Sequence, residues 1–181
     1  MIFTETKLIG SYIIDPQVRA DERGWFMRTY CKNEFAAIGH TKEWVQMNHS
    51  FTAEKGTIRG IHFQHPPFEE IKLVRCIAGS VYDVIVDLRK ESATFLQWEG
   101  IELSAENKKM LYIPGGFAHG FQTLQNDCEL IYHHSQFYTP GVEAGIRYND
   151  LLVAIQWPLS ITNISSRDND HPLLVENFKG I

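Results

Sequence analysis

The chain has 181 residues, of which 44% are apolar and 22% charged, enough for one globular domain around a single large core. Its net charge of −5 argues against general nucleic-acid binding through a basic surface, and no apolar run approaches the roughly 20 residues needed to span a bilayer. Cys31, Cys76 and Cys128 are few, odd in number and widely spaced, the usage expected of reduced cysteines in a cytoplasmic protein.

In chain order, the N-terminal MIFTETKLIGSYIID has no basic stretch followed by an apolar one, so no signal peptide is expected. NEFAAIG (33–39) predicts one or two helical turns, opened by Asn33 and closed by Gly39. Further on, IKLVRCI, SVYDVIVDLR, QWEGIELS, KKMLYIP and ELIYHHSQFY are rich in β-branched and aromatic residues. Gly79-Ser80, Glu91-Ser92 and Pro114-Gly115-Gly116 punctuate them as turns. Many short strands with almost no helix predict an all-β antiparallel sandwich or barrel.

Alternation sorts these strands into faces. Tyr82, Val84, Val86 and Leu88 share one side of their strand, and Val81, Asp83, Ile85 and Asp87 the other. Lys72, Val74 and Cys76 lie opposite Leu73, Arg75 and Ile77; Leu130, Tyr132, His134 and Gln136 lie opposite Ile131, His133 and Ser135. A solvated outer face explains the polar members, and so does a ligand cavity inside a barrel. Parity alone does not choose.

The stretch RGIHFQHPPFEEIKLVRCIAG (59–79) concentrates histidines, glutamates and cations and raises the question of a metal. Downstream, IPGGFAHGF contains Pro114-x-Gly116-x-x-His119, which resembles the second signature of the cupin superfamily of small jelly-roll barrels. Counting back from Gly79, the carboxylate slot of a metal-binding cupin falls on Lys72, and the His-x-His slot falls on His65-Pro66-Pro67 or its neighbour. A lysine there repels a divalent cation. Glu69 and Glu70, just after two prolines, read as loop charges. A pocket without metal is expected, equipped with imidazole, ammonium, phenol and guanidinium.

The chain then resembles one family along most of its length. The matching pieces are DERGWF (21–26), WVQMNHS (44–50), IRGIHFQ (58–64), KLVRCIAGSVYDVIVDLRKES (72–92), LYIPGGFAHGF (111–121), IYHHSQFYTPGVEAGIRYND (131–150), WP (157–158) and ISSRD (164–168). In this order they are similar to the nucleotide-sugar 4-keto-6-deoxyhexose epimerases, typified by the dTDP-4-dehydrorhamnose 3,5-epimerase family. The resemblance implies a single domain over 1–181, with a jelly-roll, cupin-like barrel core at about 45–150 and short peripheral helices. It also implies a cytoplasmic enzyme of deoxysugar biosynthesis that uses no cofactor. The C3 and C5 protons of such a sugar lie α to the C4 carbonyl, so a base can remove either, and reprotonation from the opposite face inverts the carbon.

The resemblance assigns His62 as base, Asp168 as the carboxylate orienting it, Lys72 as the cation beside the C4 oxygen, and Tyr132 as the acid on the other face. Asp170 is close enough in sequence to compete with Asp168. A free imidazole with a pKa of about 6.5 suits a general base, and a phenol with a pKa of about 10 stays protonated to donate. Arg23 and Arg59 match guanidinium positions for the diphosphate, and Arg167 sits where a basic residue is usual. Gln46 and Asn48 match polar contacts to the nucleotide, His119 and Glu143 line the same cleft, and Phe26 and Tyr138 match an aromatic pair stacking on the base. A homodimer is implied, in which the early segment crosses to help build the partner's pocket. One departure stands out: DERGWFMR places Arg28 where the family has an acid. The arginine meets a different base, reaches a phosphate, or points away. A relative inverting one carbon only, a metal-dependent cupin oxygenase or isomerase, and a sugar-binding cupin without catalysis are the competing readings.

Overall fold

A computed structural model describes all residues, 1–181. Thirteen strands and two short helices form it. The first sheet contains β1 (Ile2–Glu5), β2 (Tyr12–Asp15), β5 (Gln46–Thr52), β7 (Lys72–Ala78), β10 (Met110–Ile113) and β12 (Cys128–His134), in the order β1-β2-β10-β7-β12-β5. The second contains β6 (Ile58–Gln64), β8 (Ser80–Asp87), β9 (Trp98–Ser104), β11 (Phe117–Thr123) and β13 (Glu143–Gly145), in the order β13-β6-β11-β8-β9. All pairings are antiparallel. Two sheets with neighbours distant in sequence make the expected jelly roll. A separate hairpin, β3 (Arg19–Asp21) and β4 (Gly24–Phe26), pairs only with itself.

The space between the sheets holds one core cluster. Val74 and Cys76 of β7, Val81 and Ile85 of β8, Phe117 and Phe121 of β11 and Leu130 of β12 all point into it. The question left open by alternation is settled here. Lys72, Asp83, Tyr132 and His134 share parity with these core residues and face the interior. The opposite side of β8 is not solvated either. Val84, Val86 and Leu88 pack with Val153 and Ile155, which the C-terminal segment lays over the second sheet. Neither face of β8 is wet, so a polar residue there faces either the cavity or a buried partner.

The expected helix is α1 (Lys32–Ala36), followed by a turn to Gly39, whose φ of +81° suits a glycine terminator. Its Phe35 is fully buried with Ile14, Leu73, Met110 and Tyr112 on the outer side of the first sheet, a burial worth about 1.5–3 kcal/mol. A final helical turn, α2 (Ser166–Asn169), lies against β6. Ser165 caps it through Asp168 N.

Candidate active site

Strand register gathers the polar side chains at one mouth of the barrel. Across the first sheet, Lys72, His134 and Gln46 stand opposite one another, and Val74, Tyr132 and Asn48 form the next row. Across the second, His62 pairs with His119. Between the sheets opens a cavity of about 1160 Å³, lined among others by Arg59, His62, Lys72, Tyr132, Tyr138 and Arg167.

On the second sheet, His62 Nε2 lies 2.9 Å from Asp168 Oδ1, and Asp168 Oδ2 accepts from the Gly60 N–H at 3.0 Å. The helical turn α2 aims Asp168 inward, while Asp170, at its C-cap, is exposed; the competition between them resolves to Asp168. Burial pushes the Asp168 carboxyl up, but the His62, Gly60 and Arg167 hydrogen bonds outweigh it and hold the group far below the usual carboxylate range. Arg167 donates from Nε to Asp168 Oδ1 at 3.2 Å, reaches Glu143 at 3.3 Å and lies 3.2 Å from His62 Nε2. His171 stacks edge-on to His62, and its donor atom comes within 4.8 Å of those of His62 and Asp168. A metal there would meet the Arg167 guanidinium, which already supplies positive charge to both His62 and Asp168, so the set fits a metal poorly.

On the first sheet, Tyr132 Oη lies 3.1 Å from Ser50 Oγ. Burial pushes its phenol well above the ordinary tyrosine range, so it stays protonated. Lys72, 8% exposed, sets its ammonium 3.0 Å from Glu70 Oε1, and His134 Nδ1 lies 2.6 Å from Glu70 Oε2. Glu70 corrects the reading of a loop charge: the loop after Pro66-Pro67 folds back and places it inside the mouth. Burial pushes Glu70 up, but the His134 hydrogen bond and the Lys72 charge bring it down to about 2. His134 and Asp83 are further site residues that sequence reasoning did not single out. Asp83 holds His119 Nε2 at 2.9 and 3.0 Å, both residues buried. Parity placed Asp83 and His134 on a definite face; nothing in the sequence paired them with His119 and Glu70.

The nucleotide-type residues divide. Gln46, Asn48, Arg59, His119, Tyr138, Glu143 and Arg167 line the cavity. Gln46 Oε1 accepts from the Tyr138 N–H at 3.1 Å, and Arg59 Nη1 reaches Phe51 O at 3.2 Å. Arg23, Phe26 and Arg28 lie outside it. Arg23 pairs with Asp21 on the β3–β4 hairpin. Phe26 is 70% exposed. Arg28 points away from its own chain's cavity, with its guanidinium 2.6 Å from Glu34.

Comparison with known proteins places this architecture. The chain matches the dTDP-4-dehydrorhamnose 3,5-epimerase family over residues 5–176. It is 46% identical over 176 residues to the dTDP-4-dehydrorhamnose 3,5-epimerase of Salmonella typhimurium, covering 96% of each chain. The structure of the Bacillus anthracis dTDP-4-dehydrorhamnose 3,5-epimerase with TDP and PPi bound superposes with a TM-score of 0.92 at 42% identity, covering 96% of this chain and 99% of that one. A Legionella pneumophila 3,5-epimerase in complex with dTDP-4-keto-L-rhamnose superposes with a TM-score of 0.90 at 38% identity, covering 95% and 92%.

Proposed function

We infer the mechanism from one premise: the chain belongs to the dTDP-4-dehydrorhamnose 3,5-epimerase family, and is an isomerase that inverts C3 and C5 of a dTDP-linked 4-keto-6-deoxy sugar. The observation that carries the assignment of residues is the opposition of His62, backed by buried Asp168 on one sheet, to protonated Tyr132 on the other. A proton leaves one face of the sugar and returns to the other, which is what inversion requires. With its Nε2–H donated to Asp168, His62 keeps its lone pair on Nδ1, the nitrogen that takes the C3 or C5 proton. The electrons move onto the C4 oxygen. Lys72, fixed at the mouth on the same sheet as Tyr132, stabilises the enolate; such electrostatic stabilisation is worth about 2.7–4 kcal/mol. Tyr132 then protonates the carbon from its own side. Every step is balanced by protons alone, so the reading requires neither a metal nor a redox cofactor.

Arg59 and Arg167 take the diphosphate, Gln46 and Asn48 the nucleotide, and Tyr138 one side of the base. His119, held by Asp83, and Glu143 shape the wall. The protein works as a cytoplasmic homodimer in which Arg23 and Phe26 of the hairpin reach the partner's cavity. Three observations support that assembly: the self-paired hairpin, its exposed Trp25 and Phe26, and the exposed apolar row of Met47 and Phe51 on the outer face of β5. Arg28 follows the hairpin, so its effect on nucleotide recognition depends on the same assembly.

Incubation of dTDP-4-dehydro-6-deoxy-D-glucose in deuterated water tests the reaction. Deuterium at both C3 and C5 is expected. Label at one carbon alone reassigns the protein as a single-carbon epimerase, and no label overturns the reading. Mixing a His62→Ala chain with a Phe26→Ala chain tests the assembly: exchange of subunits rebuilds one complete site and restores turnover, whereas inactive mixtures that contain mixed dimers contradict the shared site.

A further inference from the structure

Five polar side chains at the cavity mouth form a directional chain, and two of them, His134 and Glu70, have no part in the reaction as described. Gln46 Nε2 donates to Asn48 Oδ1 at 3.3 Å, and Asn48 Nδ2 lies 3.2 Å from His134 Nε2. His134 Nδ1 lies 2.6 Å from Glu70 Oε2, and Glu70 Oε1 lies 3.0 Å from Lys72 Nζ. An amide NH₂ can only donate, so His134 Nε2 accepts and Nδ1 carries the hydrogen that goes to Glu70. Each group has one role that its neighbours permit. The chain begins at the residues assigned to the nucleotide and ends at the ammonium assigned to the enolate.

We propose that Glu70, oriented by His134, is the positioning residue that holds the Lys72 ammonium in place and charged for the enolate, a role resting on the assignment of Lys72 above. A lysine ammonium on a flexible four-carbon stem loses entropy when it is fixed, and a buried one without an anion tends to shed its proton. Glu70 meets both needs. Its second oxygen is occupied by His134, so the carboxylate cannot rotate away, and its depressed pKa keeps it anionic through neutral pH. Four other ionisable groups on the cavity have partners of their own. Tyr132 is bound to Ser50, His119 to Asp83, His62 to Asp168, and Arg59 to Phe51 O. Among the groups assigned to proton transfer and enolate stabilisation, only Lys72 uses Glu70.

The test compares wild type, Glu70→Gln, Lys72→Met and the double variant, with kcat and KM measured across pH and folding checked by thermal melts. Glu70→Gln keeps the shape and removes the charge. A hydrogen bond to a charged group converts to about a 10–100-fold effect, so kcat is expected to fall by that factor with KM little changed. In the Lys72→Met background, Glu70→Gln costs no more than about twofold, since residues acting through one another are not additive. An unchanged kcat in Glu70→Gln overturns the proposal, as does an equal loss in the Lys72→Met background. Full activity of Lys72→Met overturns the assignment of Lys72 itself, a distinguishable failure. Should Glu70→Gln not fold, Glu70→Asp carries the test: the charge is kept but withdrawn by one methylene, so kcat falls with KM little changed, and an undiminished kcat overturns the proposal.

Discussion

Replacing Asp168 by Asn preserves the size of a side chain that is 3% exposed and changes only what its two outer atoms can do. In the native protein both oxygens accept, Oδ1 from His62 and Oδ2 from the Gly60 N–H. Asn has one acceptor and one donor. If its oxygen stays with Gly60, its NH₂ faces His62 Nε2, which must then accept. The imidazole hydrogen moves to Nδ1, the nitrogen that should carry the lone pair, and the base is disarmed. If Asn turns the other way, two donors confront each other at Gly60 in a buried place. The first arrangement costs the general-base contribution, about 10²–10⁴-fold in kcat. Either arrangement also loses charge-assisted hydrogen bonds worth about 1.5–3 kcal/mol, which lowers Tm by about 3–12 °C for a chain of this size. Steady-state kinetics on the dTDP-linked 4-keto sugar, beside a thermal melt, reads both effects. Asp170→Asn, at an exposed C-cap, is the control and leaves both unchanged. A kcat for Asp168→Asn within about threefold of wild type would refute the tautomer argument, because a base contribution of at least about 10² is at stake.

Gly60→Ala tests how the dyad is anchored. An added Cβ lies 2.5 Å from Gly120 Cα and 2.8 Å from His119 O, at a φ of +119°. Overpacking against backbone and a disfavoured φ together cost at least about 2 kcal/mol, and kcat falls too because the Asp168 anchor moves; an unchanged Tm contradicts this. Acid stability follows from carboxyls held below their ordinary range. Glu70, at about 2, and Asp168, lower still, contribute stability that is complete above the ordinary carboxylate range and lost as pH falls through their folded values. Unfolding free energy should therefore fall as pH drops from about 5 towards 2, less steeply in Glu70→Gln, and equal slopes by denaturant titration would count against it. Exhaustive chelation should leave turnover intact, since Lys72 and Arg167 supply the positive charge at the site; loss restored by one divalent ion would reverse that conclusion.

Five strands after residue 71, β7 to β10 and β12, are legible within a residue or a few, because β-branched runs between turn signals describe buried strands well, whereas β11 and β13 carry no such run and are not named by pattern. IKLVRCI became Lys72–Ala78 and QWEGIELS became Trp98–Ser104. Pattern alone missed β5, which only the resemblance picked out. Its inner row is Gln46, Asn48, Ser50 and Thr52, while Met47 and Phe51 point outward, the inverse of a strand built on an apolar core. The chemistry of His62, Lys72, Tyr132 and Asp168 could be named from motifs, and the structure brings all four to one cavity. Glu70 escaped because its meaning depends on His134, 64 residues away, and on a loop that doubles back. The residues of the hairpin and just after it are a different case: Arg23 and Phe26 carry the family's pattern, Arg28 departs from it, and none of the three lines the cavity that holds His62 and Tyr132.

Solvent deuterium exchange in two single variants tests the central claim, that protons leave and return on opposite walls. His62→Ala should abolish exchange at both C3 and C5, because no enolate forms. Tyr132→Phe keeps base and enolate, so deuterium should still wash into the substrate from the His62 side while net inversion collapses. Equal loss of exchange and inversion in both variants would contradict the two-wall assignment.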